Sequence, residues 1–150
     1  MKELKIQPIE NGTVIDHIAA GNAIKVLHIL DIPKGHSSIV SVAINVKGHL
    51  GKKDIVKIEN RELDPREVNK IALISPKATI NIIRDFEVAD KFKVKLPKEI
   101  IGIVRCSNPT CISNANEPVK SRFKVISQDP SKIQCYYCER EPDDIVKRII

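Results

Sequence analysis

The sequence predicts an α+β fold with a ferredoxin-like β-α-β-β-α-β domain first and a small all-β domain, built around four cysteines, second. The core must be mainly aliphatic, because 42% of the residues are hydrophobic but only 3% are aromatic, and residues such as Ile and Val favour strands. Strand-like and helix-like patterns alternate before residue 98, and all four cysteines follow that residue. These three observations define the two parts of the chain.

The first half of the N-terminal domain is predicted to contain three strands and one helix. Residues 13–18 form a strand between two glycines. Small and aliphatic residues then recur at helical spacing, so a helix is expected over about 21–30, ended by a Pro-Lys-Gly turn at 33–35. Residues 39–46 form a strand that is expected to be largely buried, and a Gly-containing basic turn connects it to a strand over 54–59.

A second helix is marked by its start signals. Asp64 can cap its N-terminus, Pro65 suits the first helical position, and Glu67 completes a capping box. Strands are expected over 78–84 and over 91–96, where lysines alternate with apolar residues. The order of elements through the strand over 78–84 is β-α-β-β-α-β, which predicts the ferredoxin-like domain.

The four cysteines are spaced as C-x4-C, a gap of 23 residues, and C-x2-C, and they are Cys106, Cys111, Cys135 and Cys138. Two close pairs supply the four thiolates of a tetrahedral site, which is typical of a closed, structural metal centre. The first residues are not followed by the apolar segment of a secretory signal, so the chain is expected in the cytoplasm. Cytoplasmic thiols stay reduced, which favours one structural Zn²⁺ over two disulfides.

Pro97 is the expected boundary between an N-terminal domain over 1–97 and a zinc domain over 98–150. The second segment has few apolar side chains, so metal binding must supply folding free energy on the order of 10 kcal/mol. We therefore expect it to unfold without metal. The strands predicted in this segment are residues 100–105, 123–126 and 133–136.

Composition and motifs argue against a membrane protein and against an enzyme. No apolar run reaches the length of a membrane span. All four histidines precede residue 98, and no thiol remains for nucleophilic chemistry once the cysteines bind metal. The net charge of +6, most of it in the N-terminal domain, suggests an anionic partner. Any nucleotide would have to bind through lysines on strands, because the sequence contains neither G-x-G-x-x-G nor a P-loop.

Two alternatives remain open from the residues alone. Basic charge and a four-cysteine zinc site also suit a zinc-ribbon protein that binds nucleic acid. Against it, the zinc domain is nearly neutral, and Tyr136 and Tyr137 are the only adjacent aromatic pair. Four cysteines could also hold iron in a rubredoxin-like electron carrier, although such proteins use C-x2-C twice and the first pair here has four intervening residues.

Three sequence motifs narrow the choice between these classes of protein. They are Gly-Thr-Val-Ile-Asp-His-Ile at 12–18, Gly-Lys-Lys-Asp-Ile-Val-Lys-Ile-Glu-Asn at 51–60 and Cys-Ile-Ser-Asn at 111–114. With the cysteine spacing, they closely resemble the regulatory chain of aspartate carbamoyltransferase. The resemblance implies a non-catalytic subunit of pyrimidine biosynthesis. Its N-terminal domain would dimerise and bind nucleoside triphosphates such as CTP and ATP, and its zinc domain would dock on the catalytic chain.

The family's nucleotide contacts map onto polar residues of this chain. By resemblance, Asp16 and His17 contact the ribose and phosphate region, Lys57 contacts the ribose and base, and Lys53 and Lys91 face the phosphates. From the residues alone, an ion pair on a strand and a solvated lysine face are the ordinary explanations. The remaining positions that match contacts around the base are Ile9, Val14, Asn81, Ile83, Phe86 and Val88.

Phe86 departs from the enteric members of the family, where a tyrosine is usual. Losing the hydroxyl keeps the ring contact but removes one hydrogen bond, which is worth about 1 kcal/mol. The preference between CTP and ATP therefore stays open.

Polar residues around the cysteine pairs are the expected contacts with the catalytic chain, although plain surface is an equally good explanation for any one of them. These residues are Asn108, Asn114, Glu117, Lys120 and Arg122.

Overall fold

The computed structural model describes residues 9–32, 38–49, 51–115 and 119–150, which form two antiparallel sheets and three helices. In chain order the elements are β1 (Gly12–Ala19), α1 (Ala23–Ile29), β2 (Val40–Gly48), β3 (Gly51–Glu59), α2 (Pro65–Ile74), β4 (Thr79–Arg84), β5 (Glu87–Lys93), β6 (Glu99–Ile101), β7 (Arg122–Ser127), β8 (Lys132–Cys135) and α3 (Ile145–Arg148).

The larger sheet has the strand order β2-β3-β1-β4-β5, and the smaller sheet has the order β6-β7-β8. The first four strands with α1 and α2 make the ferredoxin-like arrangement, to which β5 adds an edge strand. The α+β prediction with a separate small sheet carrying the four cysteines is confirmed. The smaller segment also contains a 3-10 turn and α3, which were not predicted.

One face of the large sheet forms the core. Ile15 of β1 lies opposite Val56 of β3 and Ile80 of β4, and all three are fully buried. Val26 of α1 and Ile71 of α2 are also fully buried and belong to the same cluster. Because side chains alternate along a strand, the residues between these positions lie on the opposite, open face of the sheet.

The start of α2 has the predicted capping box. The Glu67 backbone N–H donates to Asp64 Oδ1 at 2.9 Å, and the Asp64 backbone N–H donates to Glu67 Oε1 at 3.2 Å. Pro65 occupies the first turn, where its missing N–H costs nothing. The reciprocal bonds satisfy two donors that a helix N-terminus otherwise leaves without partners.

Asp64→Ala is expected to lower the free energy of unfolding by about 1 kcal/mol, because the Glu67 amide loses its acceptor. Urea denaturation of the metal-loaded protein measures the change. Asp64→Asn is the matched control, since asparagine caps a helix about as well. Equal losses in the two variants would contradict a capping role.

Strand β2 corrects the prediction of a largely buried strand over 39–46. It lies at the edge of the sheet, and Val42 and Ile44 are 37% and 48% exposed. An edge strand lacks a neighbour on one side, so its burial depends on what covers it and not on its apolar content. The turn predicted at 33–35 lies outside the described residues.

Three further strand boundaries differ from prediction. Strand β3 begins at Gly51 rather than at 54, so the basic turn before it is shorter than predicted. Strand β5 begins at Glu87 rather than at 91, because Asp85 and Phe86 take positive φ angles and turn the chain back onto β4 at once. The strand predicted over 100–105 ends at Ile101, because Gly102 has a φ of +70°.

The two sheets pack together through α2 and the segment after β5. Ser131 Oγ donates to the Leu73 carbonyl at 2.6 Å, and Lys70 Nζ donates to the Ile150 carbonyl at 2.7 Å. Leu96 exchanges two hydrogen bonds of 2.9 Å with the Gln128 side chain. Buried residues of both segments form one continuous cluster. None of the helices in the described part of the chain is long and apolar enough to cross a membrane.

Candidate functional sites on the open sheet face and at the four cysteines

A row of side chains crosses four strands on the open face. Val14 of β1 lies opposite Lys57 of β3 on one side and Asn81 of β4 on the other. Asn81 in turn lies opposite Lys91 of β5. Directly paired residues share a face, so two cationic side chains flank an apolar and an amide side chain on one surface.

An ion pair adjoins this row. Lys53 Nζ lies 2.9 Å from Asp16 Oδ1, and the His17 backbone N–H donates to the same oxygen at 2.7 Å. The β1–β3 register shifts between Ile15 and Ile18, and His17 has a φ of 56° at this bulge. The bulge leaves His17 exposed, with Nδ1 3.2 Å from Thr79 Oγ1.

The surroundings shift two pKa values on this face. Partial burial raises the pKa of Asp16, but the Lys53 bond, the His17 amide and the nearby positive charges outweigh it, so the net pKa is lowered. Burial lowers the pKa of Lys57, because it disfavours the charged ammonium. Partial burial makes the charged form of Lys57 less favourable, so an anion placed against this side chain would stabilise its charged form.

The remaining predicted nucleotide residues lie at one end of this face. Ile83 of β4 is paired with both Gly12 of β1 and Val88 of β5. Phe86 lies in the turn between β4 and β5 and is 65% exposed. Ile9 precedes β1 and is only 6% exposed, so it offers a ligand little surface.

Asp54 on β3 is a residue that the sequence analysis missed. Its side chain is fully buried and accepts three backbone hydrogen bonds: Oδ2 from Gly21 at 2.9 Å and Ala23 at 3.0 Å, and Oδ1 from Asn45 at 3.0 Å. It joins the start of α1 to a bulge in β2, immediately beside Lys53. The alternation of buried positions along β3 was a usable signal, since it places this carboxylate facing the core.

The four cysteine sulfurs form a compact cluster, all within 4.8 Å of one another. Cys106 Sγ lies 3.5 Å from Cys138 Sγ, and Cys111 Sγ lies 3.7 Å from Cys135 Sγ. A tetrahedron with metal–sulfur bonds of about 2.3 Å has sulfur–sulfur edges of about 3.8 Å. The spacing therefore fits a tetrahedrally coordinated metal ion, and none of the four cysteines forms a disulfide.

Clustering also shifts the thiol pKa values in opposite directions. Burial raises the pKa of Cys106 to about 12, and the Cys138 and Cys135 sulfurs add to the rise. Burial also opposes ionisation of Cys138, but hydrogen bonds, first among them that of the Arg140 amide, lower its pKa to about 7. A bound cation would remove the remaining protons and relieve the repulsion between the sulfurs.

Two of the predicted docking residues, Asn108 and Asn114, form hydrogen bonds within the turn of the first cysteine pair. Asn114 Nδ2 donates to the Cys106 carbonyl at 2.9 Å and to the Asn108 carbonyl at 2.7 Å. Asn108 Oδ1 in turn accepts from the Thr110 backbone N–H at 3.2 Å. These bonds hold the turn that presents Cys106 and Cys111 to the cluster.

The other predicted docking residues have different surroundings. Lys120 is exposed, whereas Arg122 is paired with Glu99 and lies over the ring of Tyr136, with Cζ 4.1 Å from the ring centroid. Glu117 lies outside the described residues.

The fold and the two sites define a metal-binding protein that combines a ferredoxin-like sheet, open on one face, with a four-cysteine domain. Sequence models of two domains match it: the aspartate carbamoyltransferase regulatory chain allosteric domain over residues 4–95, and the metal binding domain of the same chain over residues 98–145. The protein belongs to the aspartate carbamoyltransferase regulatory chain family.

Curated relatives named aspartate carbamoyltransferase regulatory chain align over nearly the full length. That of Methanothermobacter thermautotrophicus is 57% identical over 146 residues, covering 95% of this chain and 93% of the relative. That of Methanococcoides burtonii is 57% identical over 152 residues, covering 100% and 96%. That of Thermococcus sibiricus is 53% identical over 153 residues, covering all of both. The prediction of a regulatory, non-catalytic chain is confirmed.

Proposed function

We propose that this chain binds nucleoside triphosphate effectors, CTP and ATP, on the open sheet face and transmits their binding to the catalytic chain of aspartate carbamoyltransferase. The observation that carries the proposal is the row of Lys57, Val14, Asn81 and Lys91 beside the pair of Asp16 and Lys53. The setting would be pyrimidine biosynthesis in the cytoplasm.

The chemistry of the face suits a nucleotide that is bound but not hydrolysed. Ammonium groups on flexible stems at Lys53, Lys57 and Lys91 can follow a triphosphate as point charges. The carboxylate of Asp16 can accept hydrogen bonds from ribose hydroxyls, and the exposed imidazole of His17 can donate to a phosphate.

The base would lie toward the other end of the face. Val14 and Ile83 offer apolar contact there, with the exposed Val88 and Phe86 beyond them, and Ile9 contributes main chain. Asn81 Nδ2 lies 3.5 Å from the Val14 carbonyl, at the limit of a hydrogen bond, so its amide can turn to a base edge.

For the metal we propose one structural Zn²⁺ on Cys106, Cys111, Cys135 and Cys138. Four thiolates fill a tetrahedral shell, so no coordination position is left for catalysis. Iron would suit the same donors, and it would give the purified protein a visible absorption band that zinc does not. Elemental analysis showing one zinc per chain is the expected result.

Two kinds of protein partner are proposed. Residues 98–150 would dock on the catalytic chain, and residues 1–97 would form the regulatory dimer; the two separate family matches support this division. Exposed Val42 and Ile44 on the edge strand β2 offer a surface for the second contact. Nucleic acid is not among the proposed partners, because the segment with the four cysteines is nearly neutral and has few aromatic residues.

Lys57→Ala is expected to weaken the binding of both CTP and ATP by about tenfold or more, because a hydrogen bond to a charged group contributes about 1.5–3 kcal/mol. Isothermal titration with each nucleotide measures the change. Lys132→Ala removes the same charge from the small sheet and serves as the matched control. Unchanged titration curves for both nucleotides would overturn the assignment of the face.

The regulatory role is tested by purifying the chain in complex with its catalytic chain and measuring velocity against aspartate with CTP, with ATP and with neither. Effector control requires that a nucleotide bind with different affinity to the two quaternary states. If neither nucleotide changes the velocity of the complex, the chain has the family's fold but not the proposed regulatory role.

A further inference from the structure

A polar cavity of about 380 Å³ lies where α2 meets the small sheet. Three segments that are distant in sequence line it: Arg66 on α2, Arg105 after β6, and Lys120 and Ser121 before β7. Among the described side chains that line the cavity, three are cationic and none is acidic, and the last residue, Ile150, also borders it. Like charges gathered in this way repel one another unless an anion lies between them.

The three cations lack carboxylate partners within the described part of the chain. One guanidinium nitrogen of Arg66 donates to the Gly102 carbonyl, which holds this side chain at the cavity. The side chains of Arg105 and Lys120 are exposed. The guanidinium groups therefore keep most of their donors available for a ligand.

Gly102 lies between two of the cations. A methyl group built at its Cα would lie 3.9 Å from both Arg66 Nη1 and Lys120 Cδ, so these side chains flank the same point. Gly102 also has a φ of +70°, which disfavours any larger residue here, and its N–H donates to the Ser121 carbonyl at 2.8 Å.

The Ser121 hydroxyl supplies an independent observation. The residue is only 8% exposed, and its Oγ is buried with no hydrogen-bond partner among the described residues. A buried hydroxyl without a partner costs free energy, so such groups normally meet a ligand or an ordered water. Ser121 is one of the residues that line the same cavity as the cations.

We propose that this cavity, the junction site, binds a phosphate-type oxyanion that joins α2 to the small sheet. Arginine forks and a lysine ammonium are the usual phosphate ligands, and a serine hydroxyl adds a neutral donor. Donors from three segments suit a tetrahedral oxyanion better than a planar carboxylate. The site is separate from the nucleotide face, the open face of the large sheet that carries Lys57. Helix α2 covers the opposite side of that sheet.

Bound at the junction, the anion would contact Arg66 of the first sheet's helix and Arg105 and Lys120 of the second segment at once. It would therefore stabilise the packing of the two segments whether or not a nucleotide is bound. Binding to the folded state alone raises stability by mass action, which gives a readout that needs no catalytic chain.

The test uses the metal-loaded full chain and pyrophosphate as the probe, at constant ionic strength set with chloride. Isothermal titration and thermal unfolding are compared for wild type, Arg66→Gln and Arg105→Gln/Lys120→Gln. Lys98→Gln/Lys132→Gln removes two charges elsewhere on the same segment and is the matched control. All variants also carry Lys57→Ala and Lys91→Ala, so that binding on the nucleotide face is suppressed.

We expect pyrophosphate affinity to fall about tenfold for each cation removed from the junction, and to stay unchanged in the matched control. Equal affinity in the junction and control variants would overturn the proposal, as would acetate binding as tightly as pyrophosphate. Junction variants that lack the Lys57→Ala and Lys91→Ala substitutions should bind CTP as tightly as wild type does. The experiment can therefore disprove the junction site and the proposed nucleotide site independently.

Ser121→Ala separates a ligand role from a structural one. In chloride alone its melting temperature should equal or exceed that of wild type, because the substitution removes a buried hydroxyl that lacks a partner. With pyrophosphate the variant should gain less stability than wild type does. A variant that gains as much as wild type would show that the hydroxyl does not contact the anion and would contradict the site as proposed.

Discussion

Metal removal, or Cys111→Ser, is expected to unfold residues 98–150 and to abolish assembly with the catalytic chain while nucleotide binding persists. The small sheet buries few large side chains, chiefly Phe123, Ile133 and Ile100. A structural zinc contributes on the order of 10 kcal/mol to the folding of such a module. Without it, four clustered thiols hold the two cysteine pairs together only weakly.

Limited proteolysis, co-sedimentation with the catalytic chain and CTP titration measure the three parts of this expectation. Ser113→Ala is a suitable control, because it changes a neighbour 3.2 Å from Cys111 Sγ without removing a ligand. A metal-free segment that resists protease would refute the first part, and intact assembly would refute the second.

The hydrogen bonds between the two segments predict that loss of the metal also affects the N-terminal domain. Lys70 and Leu73 of α2 would lose their partners Ile150 and Ser131. We therefore expect the N-terminal domain to remain folded but to unfold at a lower temperature. The open face, where we propose that nucleotides bind, lies on the other side of the sheet and should keep its geometry.

Asp54→Ala is expected to lower the free energy of unfolding by about 3 kcal/mol or more. The substitution leaves the backbone N–H groups of Gly21, Ala23 and Asn45 without their acceptor in a buried position. Each buried donor that loses its partner costs about 1–3 kcal/mol. Because Lys53 is the adjacent residue on β3, weaker nucleotide binding should accompany the loss of stability.

Urea denaturation of the metal-loaded protein and titration with CTP test this expectation. Asp90→Ala removes an exposed carboxylate from β5 and should change stability by no more than about 0.5 kcal/mol. Asp54→Asn keeps one acceptor oxygen but places an amide NH₂ where a donor already points, so an intermediate loss is expected. A cost no greater than that of Asp90→Ala would mean that the three bonds contribute little.

Features governed by neighbouring residues could be predicted from the sequence. Asp64, Pro65 and Glu67 mark the start of α2 because a helix N-terminus is completed by side chains within one turn. The cysteine spacing identifies a metal site because each pair needs only a short turn to present two thiolates. The alternation along β3 is equally local, and it assigns Lys57 to the open face.

Other features could not be predicted because they depend on backbone conformation and packing that the residue pattern does not show. The burial of β2 is set by its place at the sheet edge, and the early start of β5 by a turn with two positive φ angles. Asn108 and Asn114 were predicted as contacts with the catalytic chain, and their hydrogen bonds within the cysteine turn were not predicted because they form only when the turn is folded.

The sequence by itself determined the α+β class, the four-cysteine motif of the second segment, the helix start and, through its phrases, the family. The tertiary structure alone decided that Lys57, Val14, Asn81 and Lys91 form one row, since strand register joins residues far apart in the chain. It also brought Arg66 to Arg105 and Lys120 at the junction. Local patterns follow from hydrogen bonds and side-chain periods within a few residues, whereas a site assembled from several segments depends on how those segments pack.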